Sequence, residues 1–465
     1  MKSWKLMHTF TLSAVALVVT ALTLPTATHS QNRGAPPNSS DTPNGEGVAR
    51  TLTTYRAFDT NNPFFKPLGI NGRTCATCHP VSQAMMITPD YVAQVFAATQ
   101  GTDPLFAAVD GANAPNADQS TLAARKASSS MLLTKGLFRI GRPIPDDAEF
   151  ALKAVDDPYH YASVNDVSCF RRPLPATNLR FLSTVMWDGR ERTGRKTVLD
   201  GLASQVRDAV LGHMQAKTPP SAEQVAQIID FETHLYTAQV FDNSVGRLDA
   251  RQFGAGPDAL VRLPFFPGIN DAFGLADNRS RFDPEVFDFY EDWQPERMRR
   301  QGMRPPTPAQ QSVARGEQIF NSRQFVIRNV AGLNDVAGRR AIVGTCSSCH
   351  SVPGVGSNAL PLLLNTGIAD GARRTADMPL YTLVNKKTGA IVQTTDPGAA
   401  LTTGKWTDIG KFKVPSLRGL ETQSPYMHNG FSGDLPDVID FYDTRFQIGL
   451  SAQEKLDLRA FLVTL

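Results

Sequence analysis

The chain has 465 residues, of which 41% are hydrophobic and 20% charged, with 5 cysteines and a formal net charge of +3. A chain this long buries two cores, and its near-balance of charge excludes the basic footprint of a nucleic-acid binder or of a protein held on an acidic membrane surface. Four of the cysteines fall into two short motifs, so Cys169 has no partner, no disulfide within the chain is expected, and Cys169 reads as a buried free thiol.

Residues 1–30 have the three parts of a secretory signal: Lys2 and Lys5, an apolar run from Phe10 to Leu24, and small residues from Ala27 to Ser30, where cleavage is expected. The rival reading is a membrane anchor, but a span needs about 20 apolar residues. No later stretch is long enough, so no membrane span is expected. Export from a bacterial cytoplasm places the mature chain in the periplasm. Residues 31–48, rich in Gly, Pro, Asn and Ser, read as a flexible tail.

The first large domain is expected over 49–300. Asn61-Asn62-Pro63-Phe64-Phe65 leads through Gly69 and Gly72 to Cys75-Ala76-Thr77-Cys78-His79. Cysteines at i and i+3 lie on one side of a helical turn, so both thiols reach one porphyrin while the next histidine faces its iron. The pattern reads as a covalent haem c with an imidazole ligand. A dithiol redox pair needs no such histidine, and a zinc site shared with the second motif would leave both histidines over. Met85 and Met86 read as core residues, with axial ligation the alternative. The oxygen-rich stretch 103–118, which includes Asp110, matches no calcium loop and reads as solvated.

Further on, Arg171-Arg172-Pro173-Leu174-Pro175 precedes Asn178 and Trp187-Asp188-Gly189-Arg190. Helical spacing from Val198 to Gln215 carries Gln205 and His213 two turns apart, and a second helix opens at a Ser221/Gln224 capping box. His234 reads as structural. Residues 245–306 are irregular.

The second domain, 301–465, opens on Thr307-Pro308-Ala309-Gln310, a capping pattern with proline at the first helical position. It repeats the haem motif as Cys346-Ser347-Ser348-Cys349-His350 and closes on a helix capped by Ser451 and Glu454. Between them a helix capped by Asp434 puts Leu435, Val438, Ile439 and Tyr442 on one stripe. Tyr442 is either a core tyrosine or an iron ligand, with Met427 the rival thioether ligand. Little β-alternation is visible, so the expected fold is mainly α: two cytochrome c-like domains in tandem with long loops.

These residues together resemble the bacterial di-haem cytochrome c peroxidase superfamily, which includes the enzyme that matures the tryptophan-derived cofactor of methylamine dehydrogenase. The resemblance rests on the two haem motifs, on Trp187-Asp188-Gly189-Arg190 between them, and on Phe412-Lys413-Val414-Pro415-Ser416-Leu417-Arg418 followed by Pro425-Tyr426-Met427-His428-Asn429-Gly430. It implies that the haem on His79 is the open, peroxide-binding one and that the haem on His350 is six-coordinate, with Trp187 between them. The family's sixth ligand falls fourteen residues after the histidine matched by His428, at Tyr442. Peroxidases proper have methionine there, the maturation enzyme tyrosine.

On the peroxide side Gln205 matches the family's glutamine, but its glutamate ten residues on is replaced by Gln215, which has no proton to transfer. His213 is the nearest titratable group, able to take a proton from peroxide and return one to the leaving oxygen. The family also carries a calcium ion between its haems, whose nearest counterparts here are Asn178 and the backbone around Gln423 and Pro425. The implied function is reduction of hydrogen peroxide by electrons from a small donor protein (a cytochrome c or copper protein) or an organic donor. The alternatives are oxidation of a protein side chain or small molecule by a high-valent iron state, and a non-enzymatic di-haem electron carrier.

Overall fold

In the computed structural model the described residues are 37–192, 197–249, 254–276, 281–300 and 304–465. The expected signal peptide, residues 1–30, lies outside them. Among the described residues no helix is long and apolar enough to cross a membrane.

The expectation of a mainly α fold is wrong: the chain is 33% helical and 17% strand, with the strands spread over several sheets. A four-stranded antiparallel sheet runs Ser39–Pro43, Gly47–Thr53, Leu235–Asp242, Gly246–Arg247. A three-stranded one runs Ile391–Thr394, Leu380–Asn385, Phe150–Asp156, so strands from the two halves of the chain share a sheet. The period-2 signal was faint for a physical reason. Leu235–Asp242 lies between two neighbours and is buried at every residue but Phe241, so it reads as an apolar run rather than an alternation. Leu380–Asn385 does alternate between half-buried and buried, but over six residues only.

Of the expected tail, residues 31–36 lie outside the described residues, and the part from Ser39 on is corrected by the same sheet. Ser39–Pro43 pairs with Val48 to Leu52. The buried Thr42 hydroxyl donates to the Ser82 carbonyl and accepts from the Ala84 amide, beside the first haem motif. Composition indicates disorder only where the backbone finds no partner, and here it has a full ladder.

The helices begin where capping chemistry places them. Thr197, Ser221, Thr307 and Ser451 cap Val198–Asp208, Ala222–Thr233, Pro308–Ser322 and Ala452–Leu462 through reciprocal capping boxes. The last two helices pack closely because position 316 is glycine: a Cβ there would overlap the Asp457 carbonyl. Around this contact Phe287, Tyr290, Trp293, Phe320 and Phe461 form an aromatic core. Gly316→Ala is therefore expected to destabilise the fold by about 1–3 kcal/mol, read as a lowered urea midpoint with unchanged m-value.

Candidate functional site

Both haem motifs form one short helical turn, Cys75–Cys78 and Cys346–Cys349, started by Thr74 and Thr345. Each turn delivers its histidine to the wall of a largely apolar cavity. His79 Nδ1 lies 3.1 Å from the Met85 carbonyl, and His350 Nδ1 lies 2.7 Å from the Gly356 carbonyl. A carbonyl only accepts, so Nδ1 carries the proton and Nε2 the lone pair in both rings, the Pro415 carbonyl lying within reach of the His350 ring as well. Burial pushes both imidazoles down to about 4, against the opposing pull of these carbonyls, so both are neutral. Burial likewise pushes the Cys78, Cys346 and Cys349 thiols up to about 12. A redox dithiol needs the opposite shift, and no three His, Cys, Asp or Glu side chains among the described residues are grouped to hold a metal ion.

The first cavity is lined by Cys75, Cys78 and His79 and also by Gln205 and His213. Gln205 comes from Val198–Asp208, whose end widens into a π-turn, Ala209–His213, that re-aims His213. His213 Nδ1 contacts Asp110 Oδ2, and Asp110 Oδ1 pairs with Arg73. Arg73 is fixed by the Pro104 and Leu105 carbonyls at 2.7 and 2.9 Å. Burial alone would raise the Asp110 carboxyl, but His213 and Arg73 outweigh it and hold it below its ordinary value. The carboxylate accepts from Nδ1–H and leaves His213 Nε2 to act. Gln215 stands outside, exposed, its amide oxygen accepting from Asn71.

Sequence reasoning missed Asp110 and Arg73. Arg73 stands two residues before Cys75, the one available signal, whereas nothing separated Asp110 from the other turn carboxylates. It also missed Glu232, a buried carboxyl on the same cavity wall that burial pushes from 4.5 up to about 8. Below the lower value both states hold the proton. As pH rises the unfolded chain releases it first, so stability falls until the folded group also ionises. Urea midpoints measured from pH 4.5 to 8 are expected to decline, and Glu232→Gln to flatten that decline.

The second cavity is lined by Cys346, Cys349 and His350, and both Tyr442 and Met427 reach it. Tyr442 lies close enough to both thiols that they, after burial, raise its hydroxyl pKa. Its hydroxyl has no hydrogen-bond partner among the described residues. Met85 lies in the core beside Phe64, while Met86 lines the second cavity rather than the first.

Trp187 borders both cavities, and so do Arg172, Lys413, Gln423 and the segment Pro173-Leu174-Pro175. The indole Nε1 donates to the Arg172 carbonyl at 2.9 Å, and the Trp187 carbonyl accepts from the Lys413 amide at 2.8 Å. Beside it, Arg171 bonds Asp188 at 2.6 Å and grips Asp396 with two bonds at 2.7 and 2.9 Å. All three are buried. Asp188 also pairs with Arg190 at 3.1 Å, and breaking a buried pair such as Arg171–Asp396 costs about 3–5 kcal/mol, so this network fixes the segment that carries Trp187.

The donor set fits haem c. In each motif two unlinked thiols precede a histidine whose Nε2 carries the lone pair, and Lys413, which borders both cavities, is a buried amine without a carboxylate partner among the described residues, pushed down to about 8 by burial. It does not fit calcium. The Asn178 amide is used on both sides by the Thr237 backbone, at 2.9 and 3.1 Å. The Gln423 and Ser424 carbonyls already accept from Arg172.

Paired cavities of this kind, each walled by its own Cys-x-x-Cys-His turn, are suited to two c-type haems. No protein-family model matches the chain. It is 33% identical over 144 residues to cytochrome-c peroxidase IdrP2 of Denitromonas iodatirespirans, covering 26% of this chain and 36% of that protein. It is 45% identical over 69 residues to cytochrome-c peroxidase IdrP1 of Pseudomonas sp. (strain SCT), covering 12% and 18%. The chain thus matches well under half the length of these relatives. It is similar in sequence to cytochrome-c peroxidases, as its motifs indicate. The crystal structure of a MauG-like protein associated with microbial copper homeostasis aligns over 87% of both chains with a TM-score of 0.36 and 16% identity, too distant a likeness to bear on the site.

Proposed function

We propose that the chain is a periplasmic di-haem c-type peroxidase-like oxidoreductase, with one haem in residues 49–300 and one in 301–465. It reduces hydrogen peroxide with electrons from a small redox protein or an organic donor. The observation that carries this reading is the asymmetry of the cavities. That of His79 is furnished with a carboxylate–imidazole dyad and an amide, that of His350 with a phenol and a thioether.

Haem c, held in the first cavity by Cys75, Cys78 and His79, would supply the redox-active iron that peroxide reduction needs. His213, held at Nδ1 by Asp110, takes a proton from peroxide at Nε2 and returns one to the leaving oxygen. Gln205 orients the peroxide through its amide. Trp187 passes electrons between the cavities it borders, and Lys413 holds propionates. Tyr442, with its unbonded hydroxyl beside both thiols, is the preferred ligand in the second cavity, and Met427 packs against it.

The test is peroxide turnover with reduced cytochrome c, beside the electron paramagnetic resonance spectrum of the ferric protein. Expected are turnover and one high-spin and one low-spin signal. A wholly low-spin spectrum that peroxide leaves unchanged selects an electron carrier. Tyr442, an oxygen donor in place of a thioether, favours a second reading: oxidation of a protein side chain or small molecule. Faster turnover with such donors than with cytochrome c selects it.

A further inference from the structure

Arg172 is 2% exposed and forms no ion pair with a carboxylate among the described residues. Its guanidinium is held by main-chain oxygens alone. Nη2 donates to the carbonyls of Ile87 at 2.7 Å, Ser424 at 3.3 Å and Gln423 at 3.4 Å. Nη1 donates to those of Gly136 at 3.1 Å and Lys135 at 3.3 Å. Five carbonyls from three separate segments thus converge on one cation. The cage is built around it: Gly136 has a φ of 60°, and a Cβ there would overlap Nη1. The main chain of Arg172 is tied as firmly, its amide donating to the His428 carbonyl at 2.6 Å and its carbonyl accepting from Trp187 Nε1 at 2.9 Å.

Convergent carbonyl dipoles make a site for a cation, and a buried charge without a counter-ion persists only where such dipoles satisfy it. Burial lowers the guanidinium pKa to about 9, still above neutrality, and arginine keeps its charge where lysine would lose it. The geometry points to Arg172 as the resident cation of the junction between the cavities: its guanidinium fills a carbonyl cage that would otherwise hold a metal ion, and its carbonyl positions the indole of Trp187. This inference rests on the di-haem reading. Arg172 is a positioning residue, and its consequence is that traffic between the two haems requires no divalent ion.

The holoprotein tests this in two arms. Metal analysis of the wild type is expected to find two irons and no stoichiometric calcium, with midpoint potentials and paramagnetic spectra unmoved by a calcium chelator. Arg172→Ala empties the cage, and its peroxide turnover is expected to fall at least tenfold, with altered midpoint potentials. Millimolar guanidinium or calcium should restore both, whereas Arg172→Lys, whose buried amine sheds its proton, should not retain them. One calcium per wild-type chain, or wild-type potentials that shift on chelation, overturns the inference even if the alanine variant fails to fold. A folded alanine variant with unaltered potentials and turnover overturns it as well. Fewer than two covalent haems would instead sink the di-haem reading.

Discussion

His213→Ala is expected to lower kcat/KM for hydrogen peroxide by about 10²- to 10⁴-fold, the range that a positioned acid–base group contributes. The ferric spectrum should change little, because the variant leaves Cys75, Cys78 and His79 untouched. Asp110→Asn should give a smaller loss in the same parameter. Asparagine fills the same space but lacks the charge that supports an imidazolium, and its amide can turn to offer the wrong partner to Nδ1. Asp110 also pairs with the buried Arg73, so this variant loses stability too. A thermal melt separates the two effects. Turnover by a folded His213→Ala protein within a factor of three of wild type would remove the imidazole from the mechanism.

The parts of the site that repeat at fixed spacing were legible in the sequence, and those assembled by long-range packing were not. Cys75, Cys78 and His79 carry their chemistry within five residues, and the helix caps at Ser221, Thr307 and Ser451 are equally local. Gln205 and His213 were placed on one face by helical period, and both line the first cavity, although the turn between them widens into a π-turn that no periodicity announces. Asp110 meets His213 across 103 residues of sequence, and the Arg172 cage gathers carbonyls that any residue type could supply, so neither has a signature. The sheets were lost for a related reason. Sandwiched strands such as Leu235–Asp242 bury both faces, and edge strands such as Ser39–Pro43 have the composition of a loop.

Tyr442→Phe is expected to alter the low-spin part of the ferric spectrum and to raise the reduction potential of the second haem. The cavity isolates the choice between ligands, because the hydroxyl has no other partner among the described residues to lose. A phenolate oxygen bound to iron stabilises the ferric state, and each tenfold of that preference corresponds to about 59 mV for one electron. A rise of at least that size is therefore expected on removing the oxygen. Burial and the neighbouring thiols raise the tyrosine pKa when no metal is bound, so the anion must be created by coordination. Ligation to the ferric iron would release that proton and loss of the ligand on reduction would take it back, so the potential should fall with rising pH in the wild type but not in the phenylalanine variant. Met427→Leu is the control. If it shifts the potential and the spectrum while Tyr442→Phe leaves both unchanged, thioether ligation replaces phenolate, and the preference for side-chain or small-molecule oxidation loses its support.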